Sequence, residues 1–172
     1  MLIDCSYFTK GSRHILNASQ GTVGTVPDAN AIQVNNAIEA YIAENQMQFL
    51  VRMLGSTLGN KIHNYLVCIE EDEEPRQREN FDAVCEQLRE SFADYVFFRI
   101  LRDSNTQSTI TGVVRLKCAN EYVAPIRRQV NVWNTMVERN RLFAEWCQSK
   151  DCNLNGISIS SDMVTKINPL NL

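Results

Sequence analysis

Apolar residues recur at helical spacing along most of this chain, and that spacing predicts four helices. From Ala29 to Leu54, the residues Ile32, Ala37/Ile38, Tyr41/Ile42, Phe49/Leu50 and Met53/Leu54 form one stripe. Asp28 is placed to cap the first turn, Asn45-Gln46 to mark a bend, and Gly55 to stop the helix. Ser56 opens a shorter second helix reaching Ile69, with Leu58, Ile62, Tyr65, Leu66 and Ile69 on one face. The third helix, Arg78 to Arg102, carries Phe81, Val84/Cys85, Leu88, Phe92 and Tyr95/Val96, and its last turns, Tyr95 through Leu101, are apolar nearly all round. Such a segment belongs at the centre of a bundle or beneath a partner subunit. The fourth helix starts at Pro125, a residue suited to a first turn, and continues to Cys147. Trp133 and Trp146 on this helix read as core anchors, because each can bury a large apolar area.

The remaining stretches follow other patterns. Residues 106–118 are dense in β-branched side chains, and Thr111-Gly112 can turn a small hairpin between the last two long helices. A two-stranded ribbon is marginal by itself, so it must lie on the bundle or pair with something else. Glu70-Glu71-Asp72-Glu73-Glu74 reads as a solvated loop, since it lacks the alternating ligands and turn glycine of a calcium loop. Residues 1–28 read as an extended arm, with Ile3, Cys5 and Tyr7 alternating against Asp4 and Ser6 before Gly21, Gly24 and Pro27 break any regular element. Residues 148–172 read as a mobile C-terminal arm in which Ile157 and Ile159 form a short strand, and removing residues 153–172 is expected to leave the fold intact while weakening assembly. The expected fold is thus mainly α, with a helical domain over 29–147 and an arm at each end.

Composition narrows the function classes. With 172 residues and 44% hydrophobic content, the chain supports one domain with a real core. A net charge of -3 argues against a dedicated nucleic-acid binder. No apolar run approaches the ~20 residues that span a bilayer, and Met1-Leu2-Ile3-Asp4-Cys5 has no basic region before an apolar stretch, so a cytoplasmic chain without a membrane partner is expected. The six cysteines are scattered with no C-x-x-C pair, which reads as reduced structural thiols. Cys147 and Cys152, at a helix end, are the pair to check for a disulfide.

Candidate chemistry is sparse. His14 and His63 sit in different elements, and there is no G-x-S-x-G elbow, Walker loop or G-x-G-x-x-G. Glu90 and Asp94 lie four apart on a helix, a spacing common on solvated faces. Asn17-Ala18-Ser19 is a glycosylation sequon expected to be idle. No catalytic residue, metal site, cofactor or small-molecule substrate is expected. Arg99, Arg102, Arg115, Lys117, Arg127 and Arg128 bracket the hairpin and the start of the fourth helix, where they can gather into a positive patch.

Three segments carry a resemblance: Phe92-Ala93-Asp94-Tyr95-Val96-Phe97-Phe98-Arg99-Ile100-Leu101-Arg102-Asp103, Val130-Asn131-Val132-Trp133-Asn134-Thr135-Met136-Val137-Glu138, and Ser6-Tyr7-Phe8-Thr9. They resemble small proteins of tailed phages and prophages of Bacteroides-type bacteria. Over residues 30–147 the layout is similar to the head-tail connector (adaptor) family, although Leu54-Gly55-Ser56 stands where that family has a Thr-Gly-Arg turn. The resemblance implies a non-enzymatic virion subunit, present in the host cytoplasm during assembly. It would form a homo-oligomeric ring between portal and tail proteins through heterologous contacts. Candidate interface residues are Tyr7, Phe8, Phe97, Arg99, Ile110, Val113, Arg115, Arg127, Ile157 and Ile159. Two other readings stand beside it: a cytoplasmic helical regulator gripping a protein or nucleic acid through the arginine face, and an enzyme that uses a cysteine.

Overall fold

The structure is a computed structural model describing residues 1–18, 29–67, 75–103, 106–109, 112–115, 126–149, 152 and 154–167, with only the backbone considered for 75–77, 106–109 and 112–115. Four helices dominate it: α1 (Ala29–Leu54), α2 (Ser56–Val67), α3 (Pro75–Asp103) and α4 (Ile126–Cys147). The third helix begins three residues ahead of its expected start at Arg78. Asp28, the acidic run and Ile69 lie outside the described residues, as do Gly21, Gly24 and Pro27.

Packing follows the apolar pattern. α3 lies along α4 on one side and against α1 on another, while α2 folds back onto α1. The segment Ser91 to Phe97 is buried at every position, as expected of a helix that is apolar nearly all round. Phe49, Leu50, Met53 and Leu54 of α1 meet Phe92, Tyr95 and Val96 of α3 in a core that also takes in Phe143 of α4. Trp133 and Trp146 are half-buried at its margin, in ring contact with Phe98 and Phe143 respectively.

Two glycines make the α1–α2 corner. Gly55, at φ +85°, occupies the left-handed conformation that ends α1, and its N–H donates to the Val51 carbonyl at 2.9 Å. Gly59 lets the two helix backbones touch: a Cβ there would stand 2.7 Å from Cα of Val51 and 2.8 Å from the Leu50 carbonyl carbon and oxygen. Those neighbours are main chain and cannot swing aside. Gly59→Ala is therefore expected to destabilise the protein by about 1–3 kcal/mol, the scale of overpacking, despite alanine's better helix propensity. Urea denaturation of the variant checks this, and unchanged stability would mean the corner opens freely.

α1 runs without a break through Asn45 and Gln46. Their side chains are buried with partners in place: Asn45 Nδ2 donates to the Tyr41 carbonyl at 2.8 Å, and Gln46 Oε1 accepts from the Leu2 N–H at 2.7 Å. Polar residues satisfied in this way need no break in the helix.

Among the described residues, both ends of the chain are docked on the helices. Near the N-terminus, the expected extended strand is replaced by 3₁₀ turns at Cys5–Phe8 and Gly11–Arg13. The Asp4 carboxylate accepts from the Ser6 N–H at 2.8 Å and caps the first turn, a local bond that overrides the alternating pattern. Leu2, Ile3, Cys5 and Phe8 are core residues.

At the other end, residues 154–167 form a strap across α1 and α4. The N–H groups of Ser158 and Ser160 donate to the carbonyls of Leu54 (3.3 Å) and Arg52 (2.8 Å), satisfying orphan acceptors at the end of α1. Met163, in a 3₁₀ turn at Ser161–Val164, is fully buried. Asn140 Nδ2 donates to the Met163 carbonyl at 2.7 Å, and Asn140 Oδ1 accepts from the Ser91 hydroxyl, so one buried amide ties α3, α4 and the strap together. Trp133 Nε1 donates to the Thr165 carbonyl at 3.0 Å, while Asn134 exchanges bonds with the backbone of Ile167. The expected strand at Ile157 and Ile159 is absent, because the strap's amides bond to a helix end rather than to a sheet edge.

Between α3 and α4, the backbone of β1 (Thr106–Thr109) pairs antiparallel with β2 (Gly112–Arg115), from Thr106 opposite Arg115 to Thr109 opposite Gly112. Gly112, expected in a turn, is already the first paired residue of β2. The segments are four residues each and add no layer to the helical fold. Residues 104, 105, 110, 111 and 116–125 are outside the described set.

Candidate functional site

The clearest polar constellation joins the N-terminal segment, α3 and α4. Arg13, closing its 3₁₀ turn, sends Nη1 to Asp94 Oδ1 (3.1 Å) and to the Glu90 carbonyl (3.0 Å), and Nη2 to Glu90 Oε2. Arg139 of α4 pairs with the second Asp94 oxygen and stands 3.7 Å from Glu90 Oε2. The Asp94 side chain is only 5% exposed, whereas Glu90 stays half in water. The helical four-residue spacing of Glu90 and Asp94 thus serves a clamp in which two arginines from distant parts of the chain hold two acids of one helix.

Burial pushes the Asp94 carboxyl above its ordinary value, outweighing the opposing pull of Arg139 and Arg13, while Glu90 adds to the rise. The ionised form therefore carries a desolvation cost that its partners do not fully repay. Folded Asp94 holds its proton more firmly than the unfolded chain does. Its contribution to stability is present below the ordinary aspartate value of about 4 and is lost as pH rises through the raised folded value. Asp94→Asn keeps an oxygen acceptor for the arginines without the charge. Wild type is expected to lose stability relative to Asp94→Asn as pH rises from about 4 toward neutrality. Denaturation of both proteins across that range checks the sign, and a constant difference would remove Asp94 as a titrating element.

The expected interface residues do not gather into one patch. Phe8 and Phe97 lie in the core, Phe97 at 2% exposure beneath the Arg128 guanidinium 5.0 Å from its ring, so neither presents a surface for assembly. Arg128 also donates to the Ser12 carbonyl, which fastens α4 to the N-terminal segment. Tyr7 is half-buried under Arg13, whose guanidinium lies 6.0 Å from the ring. Arg99 is half-buried near Tyr41 and Asp103; burial raises the Tyr41 hydroxyl, with Asp103 adding to the shift by charge and hydrogen bond. Arg127 is exposed in the first turn of α4. Val113 and Arg115 lie on β2, opposite Ser108 and Thr106, and Ile110 falls outside the described residues. Ile157 and Ile159 are brought together, lining an open groove of about 400 Å³ with Ala144, Cys147, Gln148 and Leu154.

Other chemistry-bearing residues are dispersed. His14 is exposed, and His63 is half-buried with Nδ1 3.4 Å from Gln46 Nε2. Among the described residues, no group of three or more histidine, cysteine or acidic side chains could hold a metal ion, and no helix is long and apolar enough to cross a membrane. Cys5, Cys85, Cys147 and Cys152 are free thiols, and Cys68 and Cys118 lie outside the described residues. Burial pushes the thiols of Cys5 to about 11 and Cys85 to about 12, which favours the protonated form of both at neutral pH.

Sequence reasoning missed the clamp and the Asn140 tie. Asn140 left a readable trace, since it falls among apolar residues between Val137 and Phe143 on the inward line of α4. Arg13 and Arg139 left none, because their pairing depends on tertiary placement alone. No protein-family model matches the chain, and no curated protein and no solved structure matches it.

Proposed function

We propose that the chain is a non-enzymatic structural subunit of a tailed-phage particle, a head-tail connector that assembles as a ring between portal and tail proteins. The observation that carries this reading is the β1–β2 pair between α3 and α4, a two-stranded sheet in which each strand has an outer edge unpaired among the described residues. An open edge is a template for a strand from another chain. Heterologous contact of that kind, made in sequence around an axis, closes a ring. The docked N-terminal segment and C-terminal strap shift the expected interface away from Phe8 and Phe97. It moves to Val113 and Arg115 on β2, with Arg127 and the exposed Ile126 at the start of α4.

Mass spectrometry of purified tailed particles from the source strain tests the reading. Several copies of this chain per particle are expected, and intact particles lacking it would end the proposal. A second reading, a helical regulator that binds protein or nucleic acid, draws on the adjacent exposed Arg127 and Arg128. It requires DNA or protein binding at low salt that weakens steeply as salt rises.

A further inference from the structure

Cys147 is the last residue of α4, and Cys152 stands five positions on, where the chain enters the strap. The Cys152 thiol is an electrostatic neighbour of Cys147, and both lie beside Leu154, whose carbonyl stands 3.9 Å from Cys152 Sγ and whose side chain shares the groove wall with Cys147. Both are half-buried and free, and Cys147 forms part of the wall of the open groove beside Leu154 and Ile157. Beyond them, the strap is held to α1 through Ser158 and Ser160 and to α4 through Asn140. A bond between the two sulfurs would therefore join the end of α4 to the base of the element that closes the bundle.

We propose that Cys147 and Cys152 form a modification site, a dithiol that a peroxide oxidises to a disulfide, locking the strap onto the end of α4. Burial and the neighbouring Cys152 push the Cys147 thiol up to about 12, which disfavours its thiolate, so the step is written with Cys152 as the first attacking sulfur. The Cys152 thiolate attacks a peroxide oxygen, the O–O bond breaks, and hydroxide leaves to take up a proton as water. The resulting sulfenic acid is attacked by the Cys147 sulfur, which gives up its proton as the S–S bond forms. The S–O bond breaks and a second water departs. In sum, two thiols and one hydrogen peroxide become one disulfide and two waters, the sulfur pair losing two electrons and the peroxide gaining them. A thiol reductant reverses the step by exchange.

The sequence supplies its own assay. Trypsin cleaves after Arg141, Lys150 and Lys166, placing Cys147 in peptide 142–150 and Cys152 in peptide 151–166. The full chain, reduced and then treated with hydrogen peroxide, is digested without reductant. The expected product is these two peptides as one species, lighter than their sum by two hydrogens and separated again by dithiothreitol. In the oxidised protein, amide exchange at Ser158 and Ser160 is expected to slow by about tenfold, because a short covalent loop restricts opening of the strap. Two separately alkylated peptides after oxidation, or a bridge to a different cysteine or a second chain, would overturn the proposal.

Discussion

Ending the chain at Asn153 removes the strap, and the expected result is a loss of stability on the order of 5 kcal/mol. The components are visible in the packing. Met163 is fully buried, and withdrawing such a side chain from a core costs about 1.5–3 kcal/mol. Asn140 keeps its position in the interior but loses the Met163 carbonyl it donates to, and an unsatisfied buried donor costs about 1–3 kcal/mol. The Leu54 and Arg52 carbonyls at the end of α1 return to water, as does the Trp133 indole N–H. The Arg52–Asp162 pair at 2.7 Å is largely solvated and adds little. For a chain of this length, 5 kcal/mol corresponds to a fall in the melting midpoint of about 10–20 °C. Denaturation followed by the fluorescence of Trp133 and Trp146 measures it directly. A truncated chain within about 1 kcal/mol of the full one would make the strap ornamental, as an arm that ordered only on assembly would be.

That expectation reverses what the tail looks like as sequence. Its asparagines, serines and single glycine give no helical period, and a segment without a period reads as mobile. The physical reason it is ordered lies elsewhere in the chain, in acceptors at the end of α1 and in Asn140, Asn134 and Trp133 of α4. The helices, by contrast, were legible because their signal is local. α1 occupies the range its apolar stripe implies and stops at a glycine with positive φ. The Tyr95–Leu101 stretch announced burial on several sides because no polar face was available to turn outward. The N-terminal segment was misread for the opposite reason. Alternation at Ile3, Cys5 and Tyr7 is a real pattern, but a side-chain cap from Asp4 closes a tighter turn at once. The Asp94 clamp was half legible: its two acids are neighbours on one helix, and its two arginines come from the N-terminal segment and from α4.

Phe49 offers the sharpest test of the packing that these helices share. Its ring is fully buried on α1, with the ring of Phe92 centred 5.0 Å away and that of Tyr95 at 5.5 Å, both on α3 and both tilted against it. The Tyr95 hydroxyl donates to Gln48 Oε1 at 3.3 Å, so the same contact sets the register of the two helices. Phe49→Ala is expected to cost about 3–5 kcal/mol, since it removes the transfer energy of the ring and leaves a void that three packed helices cannot readily close. The midpoint should fall by about 6–20 °C. Tyr95→Phe keeps the ring and loses only a half-exposed hydrogen bond, so about 1 kcal/mol is expected there. Pairing Phe49→Ala with Phe92→Ala should reveal a coupling of about 0.5–1.5 kcal/mol, the part that belongs to the ring contact beyond its buried area. If Phe49→Ala costs under about 1 kcal/mol, α1 slides to fill the space, and the ring contact does not set its register against α3.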